Sequence, residues 1–356
     1  MKAARAMLLL LTMALLAWSP VPVCAAPTGL ETADFAGRHY LRLGDWARAN
    51  NFDLRWLRKD EVVEVTNRSF HIVLQKDSKN AEFNGVSVLL CYPIVFHDGA
   101  GYIAEADLRT TFAPLFSPPP NRSGARIRNI VIDPGHGGKD PGFQVGPYQE
   151  KKYTLLLAKE LRDQLKHAGF NVSLTRTRDV YVEKSDRPEI ARQRGADLFI
   201  SLHWNSASVG ANEVRGVQTY CLTPPGAASS NSGDDVSDVE AKPGNRNDPQ
   251  NLLLAYDLQR SLTHDLGAED HGVRRARFAV LCGAEMPAVL IEGGYMSHPE
   301  ESRQIYDPAY RRRMAEAIVL GVQAYQRQME PLRPASQGKN SSPTVSSPGP
   351  SPGTSH

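Results

Sequence analysis

The chain has 356 residues, with 41 Lys and Arg against 39 Asp and Glu, a formal net charge of +2. That balance argues against a strongly basic nucleic-acid binder and an acidic disordered chain. Four cysteines without a CxxC pair argue against a small disulfide scaffold and a thiolate zinc cluster.

The first 25 residues read as a signal peptide. Lys2 and Arg5 precede an apolar run from Leu8 to Trp18, and Val23-Cys24-Ala25 offers a cleavage site. The run is shorter than the roughly 20 residues of a membrane span. After cleavage no other stretch is apolar enough to cross a bilayer. Export to the periplasm, the outside or the envelope of a bacterium is therefore expected. Residues 331–356 are Ser-, Pro- and Gly-rich and read as a disordered tail.

Residues 35–116 read as a small α+β accessory domain. A short helix is expected over Leu43–Asn50. Strands are expected over Glu61–Val65, Phe70–Leu74, Val86–Leu90 and Ile94–Phe96, with an Asp98-Gly99 turn before Tyr102-Ile103. Asp107–Phe116 carries Leu108, Phe112 and Leu115 at helical spacing. Residues 117–125 form a Pro-rich linker.

Residues 126–330 alternate dense apolar runs with helical patterns. Expected strands are Ile130–Ile132, Val172–Thr175, Leu198–Leu202, Val217–Cys221, Phe278–Leu281 and Ala288–Ile291. Expected helices are Glu150–Ala168, Ser185–Arg194, Leu252–Leu266 and Tyr310–Met329. This pattern predicts an α/β domain with an open, mostly parallel sheet flanked by helices. Pro224–Gln250 breaks the rhythm and reads as a long polar excursion near the site. Cys221 and Cys282 are a candidate disulfide, with buried free thiols as the equal alternative.

Ionisable residues gather just beyond strands, where open α/β sheets place ligands. His136 follows Asp133-Pro134-Gly135, His203 follows Leu198–Leu202, and Glu292 follows Val289-Leu290-Ile291. Glu150 opens the helix after the His136 loop. Two imidazoles and one carboxylate form a His₂Glu set that leaves a fourth position open for water, with Glu292 as base. Asp133 competes with Glu150 as the carboxylate ligand, and position alone does not choose. Asn205 is a candidate for orienting the His203 loop. Arg275 and Arg277 are candidates for holding an anionic substrate group, with solvent-facing salt bridges as the alternative.

Four segments in order resemble the zinc-dependent N-acetylmuramoyl-L-alanine amidases of the amidase_3 family. They are Ile132–Gly138 with Gly142 and Glu150, Thr175-Arg176-Thr177, Ser201–Ser206, and Met286–Glu300. The resemblance covers nearly all of 126–325. It implies one Zn²⁺ held by His136, Glu150 and His203, Glu292 as the catalytic glutamate, and Asp133 in support. It implies cleavage of the amide between the lactyl group of N-acetylmuramic acid and L-alanine in peptidoglycan. Asp270-His271-Gly272-Val273 departs from the family, which often has Arg beside Gly-Val, so the role of His271 stays open. The N-terminal unit distantly resembles a copper-amine-oxidase N-terminal-like domain. That implies envelope targeting and not copper chemistry. The expected partners are peptidoglycan and an envelope-associated activator or targeting partner, with no nucleic acid. The competing classes are another cell-wall zinc hydrolase, a peptidase or deacetylase, and a non-catalytic wall-binding protein.

Overall fold

A computed structural model describes residues 29–119, 126–230 and 238–330. The expected leader, the tail, and most of the linker over 117–125 lie outside the described residues.

The N-terminal part is built mainly of hairpins. β1 (Thr32–Phe35) and β2 (Arg38–Arg42) lead to α1 (Leu43–Ala49). β3 (Asp53–Arg58), β4 (Val62–Thr66), β5 (His71–Gln75), β6 (Asn80–Phe83) and β7 (Val86–Leu89) then form an antiparallel meander. β8 (Val95–His97) and β9 (Ala100–Ala104) complete a second sheet in the order β1-β2-β9-β8. Asp98-Gly99 makes the expected tight turn. Asn84-Gly85 makes another, with positive φ at both residues in each pair. The expected amphipathic helix is interrupted: α2 (Glu105–Asp107) and α3 (Ala113–Phe116) flank a π-helical turn over Leu108–Phe112.

The C-terminal part contributes β10 (Asn129–Pro134), a small hairpin of β11 (Gln144–Val145) and β12 (Tyr148–Gln149), and α4 (Glu150–His167). There follow β13 (Asn171–Leu174), α5 (Asp186–Gln193), β14 (Leu198–Asn205) and β15 (Val217–Cys221). Last come α6 (Asp248–His264), β16 (Asp270–Arg275), α7 (Ala279–Cys282), β17 (Ala288–Tyr295), α8 (Pro299–Tyr306) and α9 (Pro308–Met329). Local chemistry sets the helix ends. Glu150 lies in the first turn of α4 and Lys166 and His167 in its last, matching the helix dipole. Asp307 accepts from the Ala309 N–H ahead of α9, with Pro308 at its first position.

One eleven-stranded sheet runs through both parts, in the order β13-β10-β14-β17-β15-β16-β7-β6-β5-β4-β3. The join is parallel pairing of β16 with β7 at Val273 and Val88, reinforced by the Ser87 N–H donating to Asp270 at 2.7 Å. The mostly parallel sheet expected from the sequence is therefore mixed. β13, β10, β14 and β17 are parallel neighbours, β15 runs against β17, and the meander is antiparallel. A parallel neighbour needs a crossover, usually helical. Residues 206–216 contain no helix, so β15 runs back the other way.

The larger apolar core includes Ile130, Ile132, Ile200, Leu202, Val289 and Ile291 on one sheet face, under α4, α6 and α9. Val131, Phe199, Leu222 and Leu290 face the other side, with Val280 and Leu281 of α7. Phe278–Leu281 is thus not a strand. A four-residue apolar run has no readable period, and burial of Val280 and Leu281 fits one helical turn equally well. Cys91, Cys221 and Cys282 are free thiols, which removes the Cys221–Cys282 pairing. No described helix is long and apolar enough to cross a membrane.

Candidate metal centre

β10, β14 and β17 are parallel, so their carboxyl ends open on one side of the molecule. Pairing places His203 directly beside Glu292, with both side chains on one sheet face. The chain leaves β10 through Asp133-Pro134-Gly135 and turns sharply at His136, whose φ is +60°. Glycine is required around this turn. A Cβ on Gly135 would meet the His203 ring at 2.3 Å, and one on Gly142 would meet Glu150 Oε2 at 2.5 Å.

Three side chains converge. Glu150 Oε1 lies 3.0 Å from His136 Nε2 and 3.1 Å from His203 Nδ1. Ligand atoms of all three lie within 4.8 Å of one another. Two backbone N–H groups also aim at the buried carboxylate: Trp204 at 3.1 Å on Oε1 and Phe143 at 2.9 Å on Oε2. Burial works against the Glu150 charge, but the two histidines outweigh it and hold the group well below its usual range. Burial likewise opposes a charge on His136, yet Glu150 and Asp140 raise its pKa. Two imidazoles and a carboxylate with converging lone pairs fit a single divalent ion such as zinc. His136, Glu150 and His203 therefore form a cluster that can coordinate one metal ion.

Sequence reasoning passed over Asp140. Its Oδ2 lies 2.9 Å from His136 Nδ1, on the side of the ring away from Glu150. A carboxylate there fixes the ring's tautomer and orientation. The spacing of four from His136 was the available signal.

Glu292 sits beside the cluster. Its Oε2 is buried without a hydrogen-bond partner. Burial, then the nearby Glu150 carboxylate, pushes its pKa well above the ordinary value.

Asp133 does not converge on the cluster. It is fully buried, paired with Arg187 at 2.8 Å, and accepts from Thr175 at 2.5 Å and Ser201 at 2.8 Å. Arg187 also donates to the His136 carbonyl at 2.9 Å, and Arg176 donates to the Gly135 carbonyl at 2.7 Å. Asp133 thus acts with these two arginines as the floor of the His136 turn. The Asn205 side chain accepts from the Ser206 N–H at 2.8 Å, and its carbonyl accepts from the Met296 N–H, tying β14 to the end of β17.

The two candidate anion holders lie elsewhere. Arg275 is 2% exposed and donates to the Thr110 carbonyl and the Thr111 hydroxyl in the N-terminal part, both at 2.9 Å. Arg277 donates to the carbonyls of Pro224 and Ala227. The polar excursion starts at the end of β15, which runs against β17. Its described anchors are therefore at the opposite end of the sheet from the metal cluster, not near it. Residues 231–237 lie outside the described residues.

The chain is 35% identical over 244 residues to N-acetylmuramoyl-L-alanine amidase AmiC of Neisseria meningitidis serogroup B, covering 62% of this chain and 57% of that protein. It is 32% identical over 253 residues to N-acetylmuramoyl-L-alanine amidase AmiA of Escherichia coli K12, covering 63% of this chain and 84% of that one. The match thus spans little more than half the length of the meningococcal relative. A crystal structure of N-acetylmuramoyl-L-alanine amidase from Clostridium difficile 630 aligns with a TM-score of 0.47 and 29% identity, over 57% of this chain and 98% of that one. The family model Amidase_3, N-acetylmuramoyl-L-alanine amidase, matches residues 130–324, more than half of the chain. That span holds the whole metal cluster, and the chain belongs to the amidase_3 family.

Proposed function

We propose that this chain hydrolyses the amide between the lactyl group of N-acetylmuramic acid and L-alanine in peptidoglycan, with one zinc ion held by His136, Glu150 and His203. The observation that carries this reading is the convergence of those three side chains beside an unpaired, buried Glu292 carboxyl. The chemistry zinc supplies when bound is Lewis-acid polarisation of the scissile carbonyl and acidification of water. Glu292 receives the proton of the attacking water at its free Oε2 and returns it to the leaving amine of alanine. Asp140 holds the His136 ring, and the Asp133, Arg176 and Arg187 floor holds the turn beneath it.

The leader pattern at residues 1–25 supports export to the periplasm or cell envelope, where peptidoglycan lies. The N-terminal part then serves as an envelope-directed module, contacting an activator or targeting partner.

Digestion of purified peptidoglycan followed by mass spectrometry tests the activity. Free stem peptides beginning with L-alanine are expected. New amino termini inside the stem would instead establish a peptidase. Glu292→Gln is expected to keep its zinc and to lose about 10²–10⁴-fold in turnover. Full activity in that variant would remove Glu292 from the reaction.

A further inference from the structure

The parity of β16 puts its two adjacent arginines on opposite faces of the sheet. Arg275 points into the N-terminal interface. Arg274 pairs in register with Tyr220, Tyr220 with Leu290, and Gln218 with Glu292. Paired residues, and residues two apart, share a face. Arg274, Tyr220, Gln218, Glu292 and His203 therefore stand on one face, in a band running sideways from the metal cluster.

The band is wired together. The Tyr220 hydroxyl donates to Gln218 Oε1 at 2.6 Å, and Gln218 Nε2 donates to the Tyr295 hydroxyl at 3.0 Å. Tyr295 thus keeps its own O–H proton for another acceptor. Burial chiefly raises the pKa of both phenols; the nearby Glu292 adds to that rise and Arg274 opposes it. Arg274 is part-exposed, and its Nε is fixed to the His271 carbonyl at 2.7 Å. No carboxylate among the described residues pairs with it. Glu269 is taken up by Arg215 at 2.7 Å. The result is an oriented cation with free terminal nitrogens, beside a phenol with a free proton, on the flank of Glu292.

The geometry points to an anion subsite: Arg274, with Tyr295 held by Gln218, receives a carboxylate of the stem peptide on the leaving side of the scissile amide. This rests on the amide hydrolysis proposed above. A planar guanidinium suits a carboxylate, and a charge-assisted hydrogen bond discriminates strongly against a neutral carboxamide. His271, whose role the sequence left open, supplies through its backbone the acceptor that aims Arg274.

The test uses the full chain, loaded with zinc, and two synthetic muramyl peptides. They differ only in whether the residue after L-alanine carries a free carboxylate or a carboxamide. The intact protein is expected to prefer the carboxylate by about tenfold or more in kcat/KM. Arg274→Gln is expected to collapse that ratio towards one, with zinc content and Tm unchanged. Arg274→Lys, which keeps the charge but loses the fork, is expected to retain part of it. An unchanged ratio in Arg274→Gln overturns the subsite, as does equal use of both peptides by the intact protein. Cleavage of neither peptide by the intact protein overturns the amide-hydrolase reading and the subsite with it.

Discussion

His136 shows how much one residue depends on others for its chemistry. Its ring is useful only because the turn tolerates φ of +60°, Gly142 leaves room for it, and Asp140 grips Nδ1 at 2.9 Å. Two substitutions separate these roles. His136→Ala or His203→Ala removes a ligand, and purified protein is expected to contain little zinc by elemental analysis. Asp140→Ala leaves the ligands in place but frees the ring. Zinc affinity is expected to fall about 10–100-fold in a chelator competition, while the fold survives because Asp140 lies part-exposed in a loop. At this scale the sequence was informative about identity and weak on direction. His136, Glu150, His203 and Glu292 each stand out at a strand or helix end. Arg275 and Arg274 are neighbours in sequence, yet only pairing with β15 tells which faces the catalytic side.

Helix α6 packs against α9, and a buried polar contact joins them. Gln328 Nε2 donates to both Asp257 oxygens, at 3.0 and 2.8 Å. Burial lifts the Asp257 carboxyl to about 7, against about 3.9 in an unfolded chain. Between those values the unfolded chain has released its proton and the folded chain keeps it. The contribution to stability is thus complete below about pH 4 and is lost as pH rises through about 7. Asp257→Asn keeps an acceptor for Gln328 without the titration. Its Tm at pH 8 is expected to exceed that of the parent by about 2 °C or more, with the gap closing at pH 4. Long amphipathic elements such as α4 and α9 were legible because their apolar stripes repeat over several turns. β3 and β6 were missed, although Asn84-Gly85 marked the turn after β6. Their burial alternates over only a few residues, too short a pattern to read without partners.

Taken as one body, the molecule has a single sheet shared by two stretches of chain that composition alone divides at a Pro-rich segment. Cores and contacts cross that division. Arg275 reaches Thr110 and Thr111, the Tyr256 hydroxyl reaches the Phe83 carbonyl at 3.1 Å, and one apolar cluster holds Phe83, Phe112, Leu258 and Val273. The two parts are therefore expected to unfold together, as one transition in scanning calorimetry. Two well-separated transitions would contradict this. By itself the sequence marked the candidate metal ligands, because residue types are covalent facts and their places at strand and helix ends follow from local apolar patterning. It also determined the family, through four motifs in order. Only the tertiary structure decided that β15 reverses direction, that the N-terminal meander extends the sheet carrying the metal cluster, and which arginine shares a sheet face with Glu292. Those outcomes depend on pairing between strands far apart in the chain, where the side chain period of two gives no information until a partner fixes the register.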